Sequence, residues 1–546
     1  MDHKPLDRKT AAAAWAIVGL AAAWLLLPLV NGYFLADDFV PLVLFDQWEG
    51  KGRLGAELAA KLNGSLDTGA NHFYRPLSYA SFALNYVTTG VAAESWHALN
   101  VALHLASGLL AGLVGVMAAG ARGARAVAAA AGGAALFLFF APGMEVVAWI
   151  SGRLDATATF FTLLSCVFFL RSRRFGDAAS GLSLLAGVAA FLCKESAAIL
   201  PLAILLLALV RTEDDDLPIL NRGFDALRRA APWLVLGLLY FAARQVFYGS
   251  PTRVYAGSAP IAAALSAAYW SSLADALPAW WGAQFRRSGP IALWTTVVAA
   301  HAGLIAFAAI APATGRHGRL VLAALGTIVL LTLVLVAPHL GSLPSSGIGG
   351  RLLYQSAAFY GALAAAALCV ARPAAPLLAM TVTVAALGTL SFAETAARWN
   401  EASDQMRALV SEIARTARET PASDFTLVLA PATYDDVLFA VNAQEGLMSR
   451  PVHPAGLTDR VLVQNYEDVQ LLAPQMVEGV APSLRSLARR GGKREEAAGL
   501  HVVCWNPARK QLVPIVLPEN LSTAEWAEGI RRALPAVGCT LHPVTR

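Results

Sequence analysis

Residues 11–30 read AAAAWAIVGLAAAWLLLPLV, a run of twenty positions without a charged side chain. At a rise of about 1.5 Å per residue, a helix of this length crosses roughly 30 Å, the thickness of the hydrocarbon core of a bilayer. The apolar part of a secretory signal is only about 7–15 residues long, and the NGYFLADDF that follows is a poor cleavage site. The stretch therefore predicts an uncleaved transmembrane helix.

The composition of the whole chain also indicates a membrane protein. Of its 546 residues 57% are apolar and 14% are charged, whereas an ordinary soluble domain has about 25% charged residues. This nearly excludes a soluble enzyme. The net charge is +5, and the basic residues are dispersed, which is typical of cytoplasmic loops and speaks against nucleic acid as a partner.

Ten further apolar segments follow, so that the chain reads as an all-α polytopic membrane protein of about eleven transmembrane helices. With a cytoplasmic N-terminus, the tight outer turns hold only Arg153, Lys194 and Arg351, and most other loop arginines face inward, as the positive-inside rule expects. The ten segments are 96–118, 126–141, 155–170, 178–193, 196–211, 231–248, 290–312, 319–337, 352–371 and 374–391.

Residues 260–285 allow two interpretations. The segment is apolar enough for a twelfth span, but Trp270, Trp280 and Trp281 are typical of a helix at the level of the lipid headgroups, which we favour. A twelfth span would move the C-terminal region to the cytoplasm.

Two regions are too polar for the hydrocarbon core. Residues 31–95 form a long first outer loop, and residues 392–546 form a small soluble α/β domain after a membrane domain that comprises residues 1–391. An odd number of spans makes the C-terminal domain extracytoplasmic. Its secondary structure is predicted as two buried strands, FTLVLA (425–430) and HVVCW (501–505), and one helix, AEWAEGIRRAL (524–534).

The C-terminal domain contains two of the five cysteines, Cys504 and Cys539. An oxidising compartment permits a disulfide between them. The sequence leaves open whether the two residues come close enough to pair.

Adjacent carboxylates follow the first span. Asp37 and Asp38 are suited either to taking a proton from an acceptor hydroxyl or to holding a divalent cation. The structural alternative is a solvated loop with a helix-capping aspartate.

A polar stripe begins the second span. His97, Asn100 and His104 are spaced i, i+3 and i+7, so they lie on one helical face. They could bind a polar ligand or form interhelical hydrogen bonds. Two histidines two turns apart without a third ligand do not indicate a metal site.

Charged residues collect at the outer ends of the spans. Convergent cations there suit a lipid phosphate, while each cation alone could be an interfacial snorkelling residue. The basic candidates are Arg75, Arg153, Lys194 and Arg351, and the polar residues beside them are Glu145, Asp155, Glu195 and Tyr354.

Six short motifs follow one another along the chain: the DD pair, YRPLSYASFALNY (74–86), HALNVALHL (97–105), MEVVAWISGRLDA (144–156), FLCKESAAILP (191–201) and GGRLLY (349–354). In this order they resemble the GT-C superfamily of membrane glycosyltransferases, and are most similar to the membrane region of the transmembrane-and-TPR O-mannosyltransferases and their bacterial relatives. The TPR repeats of that group are absent from residues 400–546.

The resemblance implies transfer of a sugar from a polyprenyl-phosphate donor to an extracytoplasmic acceptor hydroxyl on a protein, lipid or glycan. It assigns catalysis to Asp37 or Asp38, of which we favour Asp37. The four basic candidates would bind the donor phosphate. The substrate pocket would be lined by His97, Asn100, Glu145, Asp155, Glu195 and Tyr354.

Two other classes of protein fit less well. A transporter or lipid flippase would show inverted repeats and polar groups at mid-bilayer. A structural subunit would not need an acidic pair and a basic set on one side. The Ala-, Gly- and Arg-rich composition suggests a bacterial inner membrane, with the site and the C-terminal domain in the periplasm.

Overall fold

The fold is known from a computed structural model. It describes residues 8–62, 73–174, 176–211, 219–252, 266–268, 270–271, 291–340, 349–454, 456–466, 489–490, 493–494, 498–516 and 523–539. Apart from five positions, the predicted interfacial helix at 260–285 lies outside these residues.

Each of the eleven apolar segments predicted from the sequence contains a helix. Numbered in chain order, the helices of the membrane domain are α1 Arg8–Leu26, α2 Phe39–Gly50, α3 Leu54–Leu62, α4 Pro76–Thr89, α5 Ala93–Ala118, α6 Gly123–Leu138, α7 Met144–Ala148, α8 Arg153–Arg171, α9 Ala178–Phe191, α10 Leu200–Val210, α11 Ile219–Tyr248, α12 Ile291–Ile310, α13 Gly315–Leu340, α14 Tyr354–Val370 and α15 Ala375–Glu419.

The described helices confirm a multi-pass membrane protein. Seven are long and apolar enough to cross a membrane by themselves, and an eighth crossing is formed if Gly123–Leu138 and Ala141–Ala148, which meet at 61°, count as one span. Three further apolar helices are shorter: Ala178–Phe191, Glu195–Val210 and Thr296–Ile310. The total of eleven spans stays a prediction.

Small residues let three helices pack backbone to backbone. A Cβ atom added at Gly115 of α5 would overlap the carbonyl oxygen of Ala362 in α14, and one added at Gly133 of α6 would overlap that of Gly361. Close approach through glycine and alanine is a usual way for membrane helices to associate. Helices α5, α6 and α14 therefore form a closely packed unit, and the polar residues at its ends are held on a rigid backbone.

Helix α15 joins the membrane domain to the C-terminal domain. It has 45 residues and is about 67 Å long, so it continues well beyond residue 391. Its far part contacts the start of the first outer loop, where Arg407 Nη2 donates a hydrogen bond to the Asn31 carbonyl at 2.7 Å.

The C-terminal domain is a small α/β unit, as predicted. Its elements are β1 Phe425–Ala430, β2 Thr433–Tyr434, β3 Val437–Leu438, β4 Val461–Asn465, β5 Arg489–Arg490, β6 Lys493–Arg494, β7 Leu500–Asn506, β8 Gln511–Pro514 and α16 Thr523–Ala536. The main sheet has the order β4-β1-β7-β8, in which β1 is parallel to β4 and β7, and β8 is antiparallel to β7. The sheet is fixed to α15 by the Trp505 indole, which donates to Gln405 Oε1 at 3.2 Å.

The disulfide between Cys504 and Cys539 is present. It joins the centre of β7 to the chain just beyond α16. Ile530 and Leu534 of α16 lie in the same small apolar core as Leu427 of β1. The helix is thus held on the sheet both by burial and by a covalent bond.

Candidate active site

The two adjacent aspartates have different environments. Asp38 is fully buried. Its Oδ2 accepts hydrogen bonds from the N–H groups of Leu35 at 3.0 Å and Ile150 at 3.3 Å, and its Oδ1 accepts one from Ser151 N–H at 2.7 Å. Burial raises the pKa of Asp38 to about 7, although the hydrogen bonds from Leu35 and Ser151 oppose the rise. Asp38 thus ties the first outer loop to the turn before α8.

Asp37 is the more accessible of the pair. It is half-buried, and its Oδ1 accepts a hydrogen bond from Asn442 Nδ2 at 2.7 Å. Burial raises the pKa of Asp37, while the hydrogen bond from Asn442 and the charge of Arg351 lower it. A partly exposed carboxylate of this kind can accept a proton from a bound ligand.

Glu145 and Arg351 connect α7 to the turn before α14. The Glu145 carboxylate accepts hydrogen bonds from the N–H groups of Gly349 at 2.8 Å and Arg351 at 3.1 Å, and it also pairs with the Arg351 guanidinium. That guanidinium lies 5.0 Å from the Trp149 ring centroid. Its side chain is 26% exposed, so it is held firmly but remains accessible to a ligand.

Two more ion pairs lie in this region. Lys194 Nζ is 2.6 Å from Asp155 Oδ1, and Arg75 Nη2 is 2.8 Å from Glu195 Oε2. Burial lowers the pKa of Lys194, Asp155 opposes this, and the charges of Arg75 and Arg351 lower it further. Three of the four basic candidates of the sequence analysis therefore belong to one cluster, in which Arg75 and Arg351 both act on Lys194.

Arg244 is a member of this cluster that sequence reasoning missed. It lies in α11, its side chain is 1% exposed, and its Nη1 is 3.8 Å from Glu195 Oε1. It also packs against the rings of Tyr240 and Tyr248. An arginine inside an apolar segment is costly, and that cost was the signal that could have identified it.

Arg153 is deeply buried and holds other residues in place. Its guanidinium donates to Asn100 Oδ1 at 2.9 Å, to Asn85 Oδ1 at 2.7 Å and to the Trp96 carbonyl at 2.8 Å. Asn100 in turn donates to the carbonyls of Val146, Trp149 and Ile150. The two residues thereby fix the turn that contains Glu145.

The histidines of the polar stripe contact other segments of the protein. His97 Nε2 lies 3.3 Å from the Tyr33 carbonyl oxygen. His104 Nδ1 is 2.8 Å from the Tyr354 hydroxyl, and its Nε2 is 3.1 Å from the Leu138 carbonyl. For His104 and Tyr354 this arrangement is interhelical hydrogen bonding, the alternative given above.

The acidic pair does not fit a metal site in which both aspartates are ligands. Both Asp38 oxygens are directed at backbone N–H groups, so only Asp37 presents a carboxylate to a ligand. Within the described residues, no group of three or more His, Cys, Asp or Glu side chains is arranged to hold a metal ion.

Comparison with known proteins adds sequence relatives. No protein-family model matches the chain. The chain is 30% identical over 211 residues to protein O-mannosyl-transferase Tmtc1 of Drosophila melanogaster, a match that covers 36% of this chain. It is 31% identical over 227 residues to Tmtc2 of the same organism, covering 38% of this chain. In each case the match covers 22% of the relative, so the chain spans about a fifth of the length of these curated relatives.

A solved structure can also be superposed on the chain. It is the apo crystal structure of ArnT from Cupriavidus metallidurans, with a TM-score of 0.40 and 15% identity, covering 90% of this chain and 93% of that one. The likeness is distant, and the two sequence relatives carry more weight. They confirm the resemblance of part of the chain to O-mannosyltransferases.

Proposed function

We propose that the protein transfers a sugar from a polyprenyl-phosphate donor to the hydroxyl of an extracytoplasmic acceptor. The observation that carries the proposal is a half-buried carboxylate, Asp37, on which the charge of Arg351 acts, together with the Arg351 guanidinium itself, which is 26% exposed and paired with Glu145. Similarity to two O-mannosyltransferases supports a transferase rather than a transporter, and it makes mannose the first donor sugar to test.

The chemistry is an inverting displacement. The acceptor oxygen attacks the anomeric carbon and Asp37 takes the hydroxyl proton. The bond from the anomeric carbon to the phosphate oxygen breaks, and the electron pair leaves with the polyprenyl phosphate. Arg351, Lys194 and Arg75 stabilise the charge that develops on that phosphate.

The carboxylate partners explain how these cations stay ordered before the donor binds. Glu145, Asp155 and Glu195 each hold one of them, so the cations need little reorganisation. Preorganised charges of this kind are a main source of transition-state stabilisation. In this proposal Arg153 supports the site rather than binding the donor phosphate, because its guanidinium N–H groups already donate to Asn85 and Asn100.

The extracytoplasmic position of the site is also proposed. The loop charges of the sequence support it, and the Cys504–Cys539 disulfide is typical of an oxidising compartment such as the bacterial periplasm. The proposed acceptor is a hydroxyl of a protein, lipid or glycan, and the proposed role of the C-terminal domain is to help orient it.

The test uses the purified full chain with radiolabelled polyprenyl-phosphate mannose, glucose and galactose. Membranes from cells that lack the protein supply the acceptor. We expect release of polyprenyl phosphate and incorporation of one labelled sugar, both lost in Asp37→Asn. Parallel reactions with EDTA decide whether a divalent cation takes part. Full activity of Asp37→Asn would contradict the assignment.

A further inference from the structure

A segment of the C-terminal domain lies along the start of the first outer loop. The Ala36 N–H donates to the Phe439 carbonyl at 2.7 Å, and Asn442 donates to Asp37. Further on, a Cβ atom at Gly446 would overlap Phe39. The two segments thus meet in chain order, residue after residue.

The contact continues beyond Phe39. Arg450 Nε lies 3.6 Å from Asp46 Oδ2, so the docked stretch runs from residue 439 to residue 450. Three of the contacts, at Phe439, Gly446 and Arg450, hold the segment without involving Asp37. The hydrogen bond from Asn442 is the only one of the four that reaches the proposed base.

Both segments have a left-handed residue at this contact. Asn442 has φ +58° and Ala36, next to Asp37, has φ +49°. Asparagine tolerates the left-handed region better than most residues, whereas alanine adopts it at a cost. Asn442 itself is exposed, so burial of its side chain does not account for its conformation.

We propose that Asn442 is a positioning residue, through which the C-terminal domain orients the Asp37 carboxylate for transfer. The proposal rests on the role of Asp37 given under Proposed function. The second torsion of an aspartate side chain is broad, so a free carboxylate would sample many orientations. A donor on Oδ1 restricts that rotation and leaves Oδ2 to accept the proton of the acceptor hydroxyl.

Loss of this donor should be visible in the activity. Asn442→Gly keeps the left-handed backbone and removes the amide, and Asn442→Asp keeps the size but replaces the donor with a carboxylate. A hydrogen bond of about 1 kcal/mol corresponds to a roughly fivefold change. We expect kcat to fall about five- to tenfold in Asn442→Gly and further in Asn442→Asp, with the KM for the donor unchanged.

The pH dependence separates positioning from a purely structural role. The charged groups that act on Asp37 are Arg351 and the neighbouring Asp38, and the neutral amide of Asn442 donates a hydrogen bond to it. A hydrogen bond to the ionised carboxylate favours ionisation, so its loss should move the acidic limb of the kcat profile to higher pH. Lys510→Gly, at another left-handed position (φ +49°) in the turn between β7 and β8, is the matched control.

A measurement without turnover completes the test. Protonated carboxyl groups react with dicyclohexylcarbodiimide, and peptide mass spectrometry reads the modification of Asp37 as a function of pH. In Asn442→Gly the midpoint should move to higher pH, and in Lys510→Gly it should not. Wild-type kcat and midpoint in both Asn442 variants overturn the inference. An active Asp37→Asn enzyme overturns the proposed function instead, whatever the midpoint shows.

Discussion

The carboxylate of Asp38 accepts a hydrogen bond from the backbone N–H of Ser151 at 2.7 Å, across 113 positions of the chain. This contact distinguishes two aspartates that are equivalent in the sequence. The Asp38 carboxylate accepts hydrogen bonds from the turn before α8, whereas Asp37 is half-buried and accepts one from Asn442. The proposed division of labour is therefore that Asp38 builds the site and Asp37 takes the proton.

Substitutions at the two positions should fail in different ways. Asp37→Asn should remove transfer and leave the melting temperature in detergent unchanged. Asp38→Asn should lower stability by about 1–3 kcal/mol, because an amide nitrogen replaces one acceptor of buried N–H groups. Transfer rates and thermal unfolding of both variants check this. Equal melting temperatures would contradict the structural role of Asp38.

Arg351 should contribute to donor affinity. Arg351→Ala removes a charge-assisted contact of roughly 1.5–3 kcal/mol, and we expect donor affinity to fall about ten- to a hundredfold. Arg351→Lys should rescue it only in part, because an ammonium lacks the bidentate fork. Binding of a labelled polyprenyl-phosphate sugar measures both.

The control for Arg351 is Arg125. Its guanidinium donates to the Leu368 and Ala371 carbonyls at the C-terminal end of α14, whereas Tyr354 is at the N-terminal end of that helix. Arg125→Lys should leave donor affinity at the wild-type value. Unchanged affinity in Arg351→Ala as well would make Arg351 a snorkelling residue.

Substitution of Arg153 should lower the stability of the protein, because its guanidinium is part of a buried hydrogen-bond network. Arg153→Lys retains the charge but cannot reach Asn85, Asn100 and the Trp96 carbonyl together. Removing partners from a buried network costs about 1–3 kcal/mol for each group left unsatisfied. We expect a clear loss of melting temperature here and none in Arg351→Lys. Equal melting temperatures of the two lysine variants would mean that the Arg153 network adds little to stability.

The contact of Gly446 with Phe39 offers a test of the domain junction. A Cβ atom at residue 446 overlaps the Phe39 side chain, so Gly446→Ala should lower both stability and transfer. Phe39→Gly should relieve the overlap, because the nearest atom to the added Cβ is the Cβ of Phe39, and the double variant should then be more stable than additivity predicts. Additive losses would show that the two residues do not meet in the folded protein.

Local patterns in the sequence predict much of the fold. Long uncharged runs such as 11–30 predict helices, because backbone groups inside a bilayer must form hydrogen bonds within their own segment. In the C-terminal domain, the predicted strand FTLVLA coincides with β1. The pairing of Arg75 with Glu195 joins positions 120 residues apart, so it depends on how the helices pack. The sequence therefore placed these residues at one end of the bundle without indicating the partners.

Site residues that belong to no recognisable sequence pattern could not be predicted. Asn442 is an exposed asparagine in a turn, a common occurrence that draws no attention. The difference between Asp37 and Asp38 arises from the 3-10 turn Ala36–Asp38, which directs adjacent side chains to different neighbours. Both features depend on tertiary contacts that hydropathy and spacing do not encode.

The orientation of the C-terminal domain can be tested by cysteine labelling on intact cells. Ser411 is an exposed residue of α15, and Ser411→Cys should react with a membrane-impermeant maleimide added from outside. The cytoplasmic control is Arg122→Cys, an exposed residue between α5 and α6, which should react only after the membrane is opened. The native Cys504 and Cys539 should stay unlabelled in both, since they are bonded to each other. Labelling of Ser411→Cys only in opened cells would place the domain in the cytoplasm, make a twelfth span of residues 260–285 necessary, and remove the oxidising environment that the disulfide needs.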